Sequence, residues 1–212
     1  MNIELFYSPG ACSFAPHVAL EESGLDYKTY PVPVKERAHL MPEYLAVNPR
    51  GRVPALRIEG EVITEVPALL ELIADLALSG PALLPTEPLL RGRAFEWMCF
   101  LSSSVHIGFA QLWRPERFLP PGADAALLNE SGKANLARWY EEIEERIGDG
   151  PWVMGEAYTV VDPYLAVFWR WGKQRLDWDM ESRFPAWSGH TCRLRHRPAV
   201  QRVLADEGIT ME

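Results

Sequence analysis

Alternating and helical hydrophobic patterns take turns over the first 80 residues, and beyond them only helical periodicity remains. Ile3-Glu4-Leu5-Phe6-Tyr7 predicts a short strand, stopped by Pro9-Gly10. Residues 13–23 predict a helix, with Pro16 suited to the first turn, Val18 and Leu20 apolar, and Gly24 as its stop. Residues 27–34 read as extended. Pro31 and Pro33 cannot donate to a strand ladder, which confines that segment to a sheet edge. Residues 35–50 read as irregular or briefly helical. Residues 53–58 and 61–64 predict two strands joined at Glu59-Gly60. Residues 67–78 predict a helix with Leu69, Leu72, Ile73 and Leu76 at helical spacing. The order β-α-β-(α)-β-β-α predicts a small mixed four-stranded sheet with helices on both faces.

The remainder reads as helices over 89–112, 123–147, 185–195 and 198–207. One more helix opens at Thr159-Val160-Val161-Asp162, a capping-box-like start, and runs through Leu165, Val167, Phe168 and Trp171. Composition changes at the same place as periodicity. All eight tryptophans lie between Trp97 and Trp187. Leu78-Ser79-Gly80-Pro81, followed by Pro85 and Pro88, marks the break. We expect an α/β domain over residues 1–80, a linker over about 81–88 and an all-α domain over 89–212.

Charge and cysteine usage narrow the function classes. The chain has 21 basic and 29 acidic residues, a net of −8. That balance argues against nucleic acid as a partner, because counterion release needs clustered Lys and Arg. No apolar run has the roughly 20 residues of a membrane span. Residues 1–20 lack a basic cluster before an apolar stretch, so no secretory signal is expected. Cys12, Cys99 and Cys192 are sparse and odd in number, the pattern of a reduced, cytoplasmic protein. His190, Cys192 and His196 could approach one another, but no fourth ligand stands at zinc spacing, so no metal is expected.

Cys12 is the residue with the clearest chemistry. It follows the first strand and precedes a helix, whose positive end favours thiolate over thiol. A lone cysteine is more often a small buried hydrophobe. A thiol in this turn, with Val53-Pro54 opening a later strand, resembles the thioredoxin-like arrangement. The run Cys12-Ser13-Phe14-Ala15 lacks a second cysteine, so any thiol chemistry needs an external thiol. Pro54 is a candidate cis proline, although trans is the commoner state. A cis bond there would aim the Val53 N–H and C=O outwards, towards an extended peptide ligand. Glu65 can meet an ammonium group and the Val66 amide a carboxylate at a helix start; the alternative is a plain helix cap. Lys35, Arg50 and Arg52 are possible anion contacts, or else solvated surface charges.

Four motifs stand in order along the chain: Tyr7-Ser8-Pro9-Gly10-Ala11-Cys12-Ser13, Asn48-Pro49-Arg50-Gly51-Arg52-Val53-Pro54, Thr64-Glu65-x-Pro67-Ala68 and Thr159-Val160-Val161-Asp162-Pro163-Tyr164-Leu165. Together they resemble a bacterial glutathione S-transferase of the cysteine-containing beta class. The resemblance implies a thioredoxin-like N-terminal domain, an all-helical C-terminal domain, a homodimer, and glutathione as co-substrate. Carried onto this sequence, it places Cys12 against the glutathione sulfur and Val53 beside cis-Pro54 against the cysteinyl backbone. Glu65 and the Val66 amide would hold the γ-glutamyl head, Lys35 the glycyl carboxylate, and His106 the thiol from across the cleft. Imidazole can polarise a thiol near neutral pH. Ser13 and Tyr7 are rival contacts to the sulfur. Relatives often have Gly or Ser at the position of Val66, and polar residues at those of Cys99 and Ser103.

The function that follows is transfer of glutathione, held as thiolate, to small apolar electrophiles, with Trp97, Phe109, Trp113 and Trp169 as candidate walls for the second substrate. The alternatives are disulfide exchange through a Cys12–glutathione mixed disulfide, and a non-catalytic scaffold that binds protein partners.

Overall fold

The computed structural model describes residues 1–78, 80 and 82–211. Ser79 and Pro81, at the expected domain boundary and linker start, lie outside the described residues. The N-terminal part runs β1 (Ile3–Tyr7), α1 (Phe14–Ser23), β2 (Lys28–Pro31), α2 (Pro42–Leu45), β3 (Ala55–Ile58), β4 (Glu61–Thr64) and α3 (Val66–Leu76). The sheet order is β2-β1-β3-β4, with β1 parallel to β2 and antiparallel to β3. The proline-bearing strand is an edge, as the missing N–H of Pro31 requires. Leu5 pairs with Leu56 in the middle of the sheet, and both are fully buried. Glu59 and Gly60 both take positive φ, 49° and 93°, the conformation of a tight hairpin turn with the twist of its strands.

Helix α1 is buried on every side, from Phe14 through Leu20. Its second face exists because α3 packs on one side and two helices of the C-terminal part, α7 (Val161–Arg175) and α10 (Pro198–Glu207), on the other. The rest of that part is α4 (Pro88–Phe100), α5 (His106–Trp113), α6 (Ala126–Ile147), α8 (Met180–Arg183) and α9 (Pro185–Arg195).

The single helix expected over 89–112 is interrupted. A π-helical turn, Leu101–Val105, separates α4 from α5. Ser102 and Ser103 donate their hydroxyls to the Cys99 carbonyl at 3.1 and 2.7 Å, local bonds that compete with the regular ladder. The expected helix start at 123 moves to Ala126, whose N–H is accepted by Asp124. Gly108 lets α5 approach α6 closely, since a Cβ there would lie 2.8 Å from Leu136.

Asp162 anchors α7. Its carboxylate accepts the N–H groups of Val153 (2.9 Å) and Thr159 (2.7 Å) and the Thr159 hydroxyl (3.2 Å), and meets His190 Nε2 at 2.8 Å. The expected reciprocal cap is therefore shifted: the Thr159 hydroxyl accepts from Val161, one residue earlier than the box requires.

Candidate active site

A cavity of about 690 Å³ opens between the two parts of the chain. Its floor comes from the loop after β1, the segment that leads into β3, and the junction of β4 with α3. Its far wall comes from α5 and α7. Cys12, Val53, Pro54, Glu65 and Val66 lie on the floor; His106, Ile107, Trp113, Tyr164 and Trp171 lie opposite.

The Val53–Pro54 bond is cis. The Cys12 thiol donates to the Val53 carbonyl at 3.6 Å. The loop leading to Val53 is braced from behind: Tyr44 Oη and Asn48 Nδ2 both donate to the Arg52 carbonyl, at 2.5 and 2.7 Å. Asn48 also accepts the Arg50 N–H. Glu65 has φ 75°, an uncommon conformation for a residue with a side chain, costing about 1–3 kcal/mol. It stands as N-cap of α3 without a side-chain capping bond, so its carboxylate is not used up as a cap. That carboxylate sits 3.5 Å from Arg50, which also donates to Thr64 Oγ1.

Burial sets the protonation of the two groups closest to thiol chemistry. The Cys12 thiol is pushed up to about 12, chiefly because it is enclosed, with Glu65 and Glu207 adding to the rise. Backbone N–H groups of Cys12 and Ser13 oppose the shift and are outweighed. The expectation that the helix end holds Cys12 as thiolate is thus reversed: desolvation is the larger effect. His106 is pulled down to about 4 by burial, then by Arg117 and Arg52, and is a neutral imidazole at pH 7. Its ring stands edge-on to Trp171, with centroids 5.3 Å apart.

Other expected residues lie elsewhere. The Ser13 hydroxyl is fully buried and occupied with Ser8, donating to its carbonyl and accepting its N–H, both at 3.1 Å. Tyr7 is buried against His17. Neither lines the cavity, and Lys35 is exposed on the turn Val34–Glu36, also outside the lining. Arg37, two residues on, does line it. Trp113 is the one expected aromatic wall residue on the lining. Trp97 and Phe109 are core, and Trp169 donates to Ser188. His190, taken as a possible ligand residue, is bonded to Asp162; among the described residues no group of three His, Cys, Asp or Glu could hold a metal ion.

Sequence reasoning missed the residues that bring α7 and α10 to the Cys12 loop. Glu207, buried on α10, accepts the Gly10 N–H at 2.8 Å and meets His17 Nδ1 at 3.0 Å. Trp171 Nε1 donates to the Gly10 carbonyl at 2.9 Å. No local pattern signals these contacts, since they join residues about 160 and 197 positions apart.

Residues 10–76 match the family model "Glutathione S-transferase, N-terminal domain". The chain is 32% identical to glutathione S-transferase GstA of Escherichia coli O157:H7, over 98% of this chain and 100% of that protein. Among solved structures it resembles a glutathione transferase homolog from Sulfitobacter with bound glutathione, at 31% identity and TM-score 0.88, covering 98% of this chain and 99% of that one. It also resembles a beta class enzyme from Sphingomonas chungbukensis, at 32% identity and TM-score 0.82, covering 98% and 100%. With those four motifs around one cavity and relatives matched end to end, the chain belongs to the glutathione S-transferase family.

Proposed function

We propose that the cavity floor binds glutathione and that the far wall presents an electrophile to its sulfur. The observation that carries this reading is one strip of floor holding, in order, a thiol, the Val53 backbone before cis-Pro54, and a carboxylate beside a helix N-terminus at Glu65 and Val66. The Val53 backbone pairs with the cysteinyl unit in the manner of an added strand. Glu65 takes the ammonium group, and the Val66 amide takes the adjoining carboxylate without a side-chain hydroxyl. Arg50 and Arg52 supply positive charge for the carboxylates.

On binding, the Cys12 thiol turns from the Val53 carbonyl to the glutathione sulfur, and it and His106 act as neutral hydrogen-bond donors, because burial keeps one protonated and the other uncharged. Donors aimed at a developing thiolate lower the cost of losing the thiol proton to water. The thiolate then attacks the electrophilic carbon; the C–S bond forms and the leaving group departs with its electron pair. A buried neutral thiol is a poor attacking group, which disfavours disulfide exchange through Cys12. We further propose a cytoplasmic homodimer; exposed Leu89 and Leu90 on α4 offer it apolar surface. Among the described residues no helix is long and apolar enough to cross a membrane.

Calorimetric titration with glutathione, with conjugation of 1-chloro-2,4-dinitrobenzene read alongside, tests the reading. Wild type should bind and turn over. Cys12→Ala should still bind but lose about tenfold in rate with the lost hydrogen bond. Absence of binding in both proteins would leave only a scaffold role.

A further inference from the structure

The cavity is strongly cationic in an acidic protein. Five arginines line it, Arg37, Arg50, Arg52, Arg114 and Arg117, against the two carboxylates Glu65 and Glu116, while the chain carries net −8. Among the described residues, the arginines elsewhere divide evenly: Arg57, Arg91, Arg93, Arg146, Arg197 and Arg202 have a carboxylate within salt-bridge distance, and Arg138, Arg170, Arg175, Arg183, Arg193 and Arg195 do not. Of the five arginines gathered on the cavity, Arg50 alone is paired. Among the described residues, Arg37, Arg52, Arg114 and Arg117 form no ion pair.

Glutathione accounts for part of this charge. Its head lies with Glu65 and Arg50, and its other carboxylate lies within the same floor. Arg114 and Arg117 belong to the opposite wall. They stand at the end of α5 and on the following turn, Pro115–Arg117, directly after Trp113. A cation at a helix C-terminus also suits the dipole, but that accounts for Arg114 alone. Arg117 is crowded by like charge: burial and then the nearby Arg52 and Arg114 pull it below its ordinary value. Such repulsion is relieved by an anion between them.

We propose that the wall formed by Arg114, Arg117 and Trp113 binds an electrophile that carries a carboxylate on an aromatic or similarly flat apolar body. Trp113, half-exposed, and the edge of Trp171, its ring plane inclined at 70° to the first, give the body an apolar corner, and the guanidiniums fork onto the carboxylate. This rests on the transferase reading, and names the substrate class for the same site.

The test compares an isosteric pair, 4-chloro-3-nitrobenzoate and 4-chloro-3-nitrobenzamide. In both, glutathione thiolate displaces chloride: the C–S bond forms and chloride leaves with the C–Cl electron pair. The two S-aryl conjugates are made chemically and titrated by tryptophan fluorescence, with glutathione alone titrated in parallel. The carboxylate conjugate should bind about tenfold more tightly than the amide conjugate, the scale of hydrogen bonds to a charged group. The Arg114→Gln/Arg117→Gln variant should bring that ratio close to one, and Arg114→Lys/Arg117→Lys should keep part of it. Arg117→Gln alone gives the same direction with little risk to folding, since the residue is exposed overall and only the part turned to the cavity is enclosed. Equal affinities in wild type, or an unchanged ratio in the glutamine variants, would overturn the inference while glutathione binding left the transferase reading standing. Failure of glutathione and of both conjugates to bind would overturn both.

Discussion

Cys12 shows two physical effects pulling in opposite directions. The start of α1 offers amides and a positive dipole end, but enclosure between the Val53 carbonyl and the cavity wall prevails. With its value raised to about 12, the group stays protonated far above neutrality. At pH 8 its thiolate fraction is about a thousandfold below that of an ordinary cysteine. Cys99 and Cys192 are exposed. Iodoacetamide at pH 8, followed by peptide mass spectrometry, should therefore modify Cys99 and Cys192 well before Cys12 in the ligand-free protein; early labelling of Cys12 would show that the thiol is open and ionised. The positions of Cys12, Val53, Pro54, Glu65 and Val66 were legible in the sequence because each belongs to a local strand-to-helix or loop-to-strand motif. The charge state of Cys12 was not, since burial depends on residues far away in the chain. Arg114 and Arg117 were missed for a related reason: a helix-ending Arg-Pro-Glu-Arg run reads as solvated surface until tertiary structure turns it onto a cavity.

At the scale of elements, first-turn prolines and terminal glycines wrote several helix boundaries into the sequence. Proline at the first turn located α9 and α10, and Gly24 ended α1. The break between α4 and α5 was hidden because a π turn keeps the apolar spacing helical on both sides, and only the serine hydroxyls reveal it. Asp162 was legible as a cap of α7, but its bonds to Val153 and His190 were not, because they cross between elements. Those extra bonds make it more than an ordinary cap. Asp162→Ala should cost about 3–5 kcal/mol, the scale for breaking a buried charged network, against about 1 kcal/mol for a surface cap. Urea denaturation followed by circular dichroism checks this; a loss of only the smaller size would mean that His190 and Val153 find other partners.

The whole molecule is held by one helix with two owners. α1 belongs by sequence to the sheet domain, yet its second face is covered by α7 and α10. Ion pairs reinforce the seam, Glu22 with Arg197 and Glu21 with Arg202. A helix whose residues Phe14 to Leu20 are buried on every side cannot leave one side in water. A fragment of residues 1–78 should consequently fail to fold on its own, although composition alone suggests a division of the chain near residue 80. Dispersed amide signals in a proton–nitrogen NMR spectrum of that fragment would contradict this. Unfolding of the complete chain should follow a single cooperative transition.

Trp171 joins these scales in one side chain. Its ring faces the cavity while its indole N–H holds the Gly10 carbonyl, two residues before Cys12. Anyone reshaping the proposed electrophile wall at position 171, to admit a bulkier reagent for instance, also unfastens the peptide that leads to Cys12. Selectivity and thiol placement are thus inseparable at this tryptophan, and engineering of the former is better begun at Ile107 or Trp113, which carry no such tether.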